Sequence, residues 1–292
     1  MTDALYTALD GTEPSRTTII IAYCTPGRDG GMDATDTDAF GVGERFERAE
    51  TALRRERRRT ADEAEALRVF AERVDEMAPQ TAVSQGETAV RTGVAAGADD
   101  GLEAVRAAYE ATVMSVPHYE EEYGDDYVES LRAEFSSDLA AALTDGTRFN
   151  ARCRRAVLSA TAASRSARAS LLETLSGEIE SLSAAAGTLG PVADELEEFA
   201  ARSLSEEPFG TLDAYRARLG VLAENAETVA ARRQETLFDQ RRETGLPTDA
   251  PDVPQYVYRT EPFDYPVMVA VAELSEAVDR LRDDVERAMA RC

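Results

Sequence analysis

His118 is the only histidine in the chain, and it stands three and four residues ahead of Glu121 and Glu122. On a helix those spacings stack side chains on one face. One imidazole, two carboxylates and an open position form a donor set that a divalent metal could use. Tyr119 and Tyr123 flank the same stretch, and a His–Tyr pair could pass a proton. The alternative is a helix junction, in which Pro117 breaks the helix, the tyrosines pack and the acids face solvent. A lone histidine beside an acidic run is not convergent geometry. The junction is therefore the reading we favour, with these five residues kept as metal- or ligand-binding candidates and no cofactor implied.

The composition removes most other chemistry. All 32 basic residues are Arg, so no lysine is present for a Schiff base, a Walker A loop or an S-x-x-K acylase. A single histidine excludes H-E-x-x-H, His₃ zinc sites and C₂H₂ fingers. Neither G-x-S-x-G nor a complete G-x-G-x-x-G occurs. Cys24, Cys153 and Cys292 are three widely spaced cysteines without C-x-x-C, which reads as reduced thiols. No catalytic residues are assigned, and the balance leans against an enzyme.

Two further patterns are weaker. Asp36, Asp38, Gly41, Glu44 and Glu47 match loop positions of an EF-hand, but Phe40 occupies a ligand position and no helix precedes the loop, so we read no calcium site. Arg54, Arg55, Arg57, Arg58 and Arg59 form a basic run of the kind that contacts nucleic acid. Here Glu50–Arg54, Arg58–Asp62 and Arg59–Glu63 are i,i+4 pairs, so the run reads as a solvated helix face and not as a nucleic-acid site.

The elements that must position these residues are helices. Residues 1–43 read as a flexible segment with one apolar run, Ile19–Tyr23. Residues 44–292 read as a helical bundle. Phe46, Leu53, Thr60, Leu67 and Val74 recur every seven residues up to Pro79. Further helices are predicted from Asp99–Gly101 to Pro117, from about Asp125 to Leu143, and over 147–189, ending at Gly190–Pro191. Another precedes Pro208, and one bears Leu212, Leu219, Leu222 and Val229. Residues 246–262 hold four prolines and read as an extended linker. Asp264 and Pro266 then open a last helix, whose Val267, Val271, Leu274, Val278 and Leu281 keep three-four spacing. Strand signals are almost absent. The expected fold is all-α, an elongated antiparallel bundle with coiled-coil-like long helices. The seam on the last helix could hold a partner helix or a second copy. No apolar run approaches the ~18 residues of a membrane span, and no signal sequence opens the chain, so we expect a cytoplasmic protein.

One stretch departs from the acidic pattern. Residues 147–172 carry six Arg and no Asp or Glu, where about five acids would be expected from 56 in 292. We read this as a covered helix whose seam of small residues, Cys153, Ala156, Ala160, Ala163, Ala167 and Ser170, lets another backbone approach closely, with at least two of Arg152, Arg155, Arg165 and Arg168 paired to carboxylates of the same chain, the run Glu120–Asp126 being the nearest supply. The competing reading is an exposed anion-binding face.

The net charge is −24, with the acids spread through apolar-periodic segments. Acidic, lysine-free and Ala-rich, the chain resembles proteins of extreme halophiles, in which the charge describes the solvent more than a partner. The pieces Met114-Ser115-Val116-Pro117-His118-Tyr119 and Asp264-Tyr265-Pro266-Val267, with the charged first helix, resemble an uncharacterised haloarchaeal family known as a domain of unknown function. That resemblance spans about 44–291, supports the halophilic reading and implies no activity. The function expected from the sequence is a non-enzymatic helical scaffold or interaction protein. The alternative is a metal- or small-ligand-binding protein, or an enzyme, centred on His118.

Overall fold

A computed structural model describes residues 40–80, 100–244 and 251–292. The Ile19–Tyr23 run, Cys24, Asp36, Asp38 and most of the expected flexible segment lie outside the described residues. Those that are described form helices only: α1 (Val42–Glu76), α2 (Asp100–Glu110), α3 (Tyr119–Glu122), α4 (Tyr127–Glu134), α5 (Ser137–Thr144), α6 (Ala151–Ala200), α7 (Phe209–Thr244), α8 (Val253–Val257) and α9 (Pro266–Met289), with two short 3₁₀ turns. No strand occurs among the described residues, and the fold is an all-α helical bundle of long packed helices.

Several boundaries differ from the expectations, each for a local reason. The helix expected over 125–143 is two helices. Phe135 is extended (φ −120°, ψ −179°), and the Ser136 hydroxyl restarts the chain by accepting the Leu139 N–H. Asp126 and Glu129 close a capping box at the start of α4. Helix α6 does not stop at Gly190–Pro191 but runs through Pro191 to Ala200. Gly190 has no Cβ to clash with the proline ring, so the residue before Pro191 keeps a helical conformation. The proline-rich stretch contains α8, where Asp252 and Gln255 form a second capping box and Pro254 needs no N–H partner in the first turn.

The chain divides into two compact units. The first holds the described residues of Arg58–Leu172, with α2 to α5 and the adjoining parts of α1 and α6. Its core is Leu67, Phe70, Val74, Val105, Tyr109, Leu131, Phe135, Leu143, Phe149 and Val157. Phe70 and Tyr109 meet edge to face at 5.3 Å, and the Tyr109 hydroxyl lies 3.1 Å from Ser130 Oγ, so the buried phenol is not left unsatisfied.

The second unit holds Glu173–Cys292 and the described part of Cys24–Arg57. Helices α7 and α9 pack along each other. Leu212, Leu219 and Leu222 of α7 and Val267, Leu274 and Val278 of α9 are buried, the last three at 0–1 % exposure. A fully buried side chain of this size stabilises by roughly 1.5–3 kcal/mol, so this seam is a principal hydrophobic term of the unit. Polar ties close its edges: Arg45 to Glu273 at 2.8 Å, Arg218 to Glu195 at 2.7 Å, and the Tyr256 hydroxyl to buried Glu56 at 2.5 Å.

Candidate functional site

The first unit encloses a polar network built from four elements. Helix α1 supplies Glu63, the ends of α3 supply His118 and Tyr123, α4 supplies Glu134, and α6 supplies Ser164 and Arg168. Arg168, 1 % exposed, is the hub. Its two Nη atoms donate to the two Glu134 oxygens at 2.8 and 2.7 Å, and its Nε donates to Glu63 Oε2 at 2.9 Å. This fork geometry is available to Arg and not to Lys. The other oxygen of Glu63 accepts the Tyr123 hydroxyl at 2.6 Å and faces His118 Nε2 at 3.1 Å.

Burial works to raise the Glu63 pKa. The His118 hydrogen bond, the Arg168 charge and the bonds from Tyr123 and Arg168 outweigh it and bring the carboxyl from an ordinary 4.5 to about 2. Ionised Glu63 only accepts hydrogen bonds, so the Nε2 of His118 carries the hydrogen between them. Burial likewise opposes the Arg168 charge, but Glu134 and Glu63 hold its pKa above the usual range. Such a carboxylate is a poor base at neutral pH, and its oxygens are already engaged by cation, phenol and imidazole.

The sequence candidates fall in different places. His118 and Tyr123 meet on Glu63, as above. Tyr119 is buried, with its hydroxyl on the Asp125 carbonyl at 3.3 Å. Glu121 is 79 % exposed and lies 3.9 Å from Arg59, which also pairs with Glu122. Glu121 and Glu122 therefore turn to α1, while His118 turns inward. Among the described residues, no group of three His, Cys, Asp or Glu side chains is placed to hold a metal ion.

Of the basic candidates on α6, Arg168 is the buried hub, whereas Arg152, Arg155 and Arg165 are exposed. Their neighbour Arg154 pairs with Asp75 at 2.6 Å. The expectation of a covered Ala/Ser seam needs correction. Ala156, Ala163 and Ser170 are exposed, and the buried stripe in this part of α6 is Val157, Thr161, Ser164, Arg168 and Leu171. The candidate interaction seam, Val267, Val271, Leu274, Val278 and Leu281, is buried within the chain, on the helix that packs along α7.

A second buried network, in the second unit, was missed at sequence level. Glu178 of α6, fully buried, accepts both Nη atoms of Arg233 at 2.7 and 2.8 Å, the Gln240 amide at 2.9 Å and the Tyr258 hydroxyl at 3.1 Å. Burial and the neighbouring Glu178 charge push the Tyr258 phenol well above its usual range, so it remains a donor. Arg233 continues the three-four spacing of Leu219, Leu222, Ala226 and Val229 on α7, and that is the signal the sequence offers, since a charge at a core position calls for a buried partner.

Fold and site together define an all-α protein, rich in acids and free of lysine, whose two units are each built around a buried Arg–Glu pair. The chain belongs to a family described as a domain of unknown function (DUF7260), whose sequence profile matches residues 44–282. Comparison with curated proteins found no match. Comparison with solved structures found none either.

Proposed function

We propose that this is a non-enzymatic helical scaffold or interaction protein of a halophilic cytoplasm. The observation that carries the reading is the engagement of its chemistry-bearing residues. His118, Tyr123, Glu63 and Arg168 hydrogen-bond one another inside a packed unit, and Glu63 is held ionised far below neutral pH. Groups fixed in this way set the position of α3 against α1 and α6 and offer no free base or open ligand position. The three-four spacing of α7 and α9 supports coiled-coil-like packing between them. The excess of acids over arginines supports a salt-rich medium.

The test is a titration of the full chain with Zn²⁺ and Mn²⁺, in wild type and in His118→Gln, followed by thermal unfolding. The scaffold reading expects neither ion to raise the wild-type midpoint more than it raises that of the variant. Saturable stabilisation of wild type that His118→Gln abolishes would transfer the assignment to the alternative, a metal- or ligand-binding protein centred on His118, Glu121 and Glu122.

A further inference from the structure

Aspartate followed by glycine is a pair with a reaction of its own. The glycine nitrogen can attack the neighbouring side-chain carboxyl, because no Cβ on the glycine shields it. The chain holds such pairs at Asp10, Asp29, Asp100 and Asp145. The first two lie outside the described residues. In a folded chain the reaction depends on what holds the peptide unit between the two residues, and the two described pairs differ in this.

Asp145 closes α5. Its N–H donates to the Ala141 carbonyl at 2.8 Å, and its backbone sits at φ −103°, ψ −5°. Past that bond the chain is little restrained. Among the described residues, neither the Asp145 carbonyl nor the Gly146 N–H makes a hydrogen bond. The Asp145 side chain is exposed. The peptide unit can therefore turn about the Asp145 Cα–C bond until the Gly146 nitrogen meets Cγ, and no hydrogen bond is broken. Asp100–Gly101 opens α2 instead. There the Asp100 carbonyl stands at the start of the helical ladder, and the same rotation takes it out of the ladder.

Packing also holds the glycine in place. A Cβ on Gly146 would run into the Ala142 carbonyl oxygen and would stand 3.5 Å from Leu102 Cδ1. The close approach of this turn to the end of α5 and to α2 thus calls for glycine, and the reactive pair comes with the fold.

We infer that Asp145–Gly146 is a site of spontaneous succinimide formation and isoaspartate conversion in the folded chain. The Gly146 N–Cγ bond forms, the C–OH bond of the neutral carboxyl breaks, and that oxygen leaves as water with the amide proton. Solvent water then opens the ring. Attack at Cγ restores aspartate, and attack at the backbone carbonyl gives isoaspartate. Nothing is oxidised or reduced, and each cycle exchanges one oxygen of residue 145 with solvent. Isoaspartate routes the backbone through Cβ and adds one methylene between Leu143 and Phe149, both buried in the first unit. The site requires neither a partner nor a ligand, so it is independent of the function proposed above.

The experiment is incubation of the full chain in water enriched in heavy oxygen, in mildly acidic buffer where circular dichroism shows it folded. Digestion in ordinary water follows. Trypsin cuts this lysine-free chain only after Arg, and it places the two pairs on separate peptides, 92–106 and 133–148. Tandem mass spectrometry then locates the label. The expected result is one heavy oxygen accumulating at residue 145, with a second chromatographic isomer of peptide 133–148, and several-fold less label at residue 100. In denaturant the two pairs should label alike, since the difference belongs to the fold. Asp145→Glu, which cannot close the five-membered ring, should leave peptide 133–148 unlabelled. A folded chain with residue 145 unlabelled overturns the proposal, as does equal labelling of residues 100 and 145. Label that persists in peptide 133–148 of Asp145→Glu overturns it too.

Discussion

Replacing Arg168 with Met leaves two acids without their cation. In the native unit Arg168 makes three charge-assisted bonds of 2.7–2.9 Å, two to Glu134 and one to Glu63. The Glu134 side chain is 0 % exposed, so in the variant water cannot take over this role. Removing one partner of a buried ion pair costs about 3–5 kcal/mol, a large part of a total stability of about 5–15 kcal/mol. At about 2–4 °C per kcal/mol, the midpoint should fall by roughly 6–20 °C. The pH dependence gives the sharper check. In wild type the Glu63 pKa is depressed to about 2, so its contribution is complete above about 4.5 and is lost as pH falls toward 2. The difference between 4.5 and about 2 corresponds to about 3 kcal/mol. In Arg168→Met the Glu63 carboxyl loses the Arg168 charge and hydrogen bond that help to depress its pKa, so less stability is lost as pH falls. Thermal unfolding followed by far-ultraviolet circular dichroism, at about pH 3 and about pH 7, reads both the loss at neutral pH and the change in pH slope. A variant within about 1 kcal/mol of wild type at neutral pH, with an unchanged pH slope, refutes the network as a source of stability.

Leu274→Asp places a carboxylate at a fully buried position of α9 and should unfold the second unit, seen as loss of helical signal in chemical denaturation begun from native buffer. Tyr258→Phe removes only the 3.1 Å bond to Glu178 and should cost about 1 kcal/mol, measured as a lower denaturant midpoint at constant slope. Asp126→Ala opens the α4 capping box and should cost about 0.5–2 kcal/mol, with Asp126→Asn recovering most of it. A formal charge of −24 repels itself when unscreened, so the thermal midpoint should climb from low to molar KCl, and a flat dependence contradicts the halophilic reading.

The all-α class and the α9 seam were legible because Val267, Val271, Leu274, Val278 and Leu281 repeat at helical spacing with large apolar side chains. The buried face of α6 was not, because its first half offers Val157, Thr161, Ser164 and Arg168 there. Alanines and serines run round the whole helix, so a seam can be drawn one position away with equal regularity. Pro191 reads as a stop by its own ring alone, whereas Gly190 before it carries no Cβ to meet that ring and the helix continues. The joining of His118 to Glu63 depends on residues 55 apart, and no local spacing encodes such a pair. Arg59–Glu63 read as a surface i,i+4 pair, whereas Glu63 turns to Arg168 and His118, and Arg59 to Glu121 and Glu122.

The poverty of apolar groups on the inner face of α6 explains why Arg168 sits there. Thr161 and Ser164 are small, and a helix packed through them alone could slide or rotate with little change in buried area. Moving Arg168 by one residue turns its guanidinium about 100° away from Glu134 and Glu63 and leaves the fully buried Glu134 unpaired. Moving it by a full turn replaces Arg168 with Ser164 or Leu172, with the same result. Either error costs on the order of the 3–5 kcal/mol of a broken buried pair, more than any single contact of Thr161 or Ser164 could return. Against well-packed hydrophobic residues of the same volume the pair itself gains little stability. Its contribution is therefore the gap between the native register of α6 and its neighbours. Glu178 repeats the device in the second unit with the charges exchanged, α6 there supplying the carboxylate and α7 the arginine.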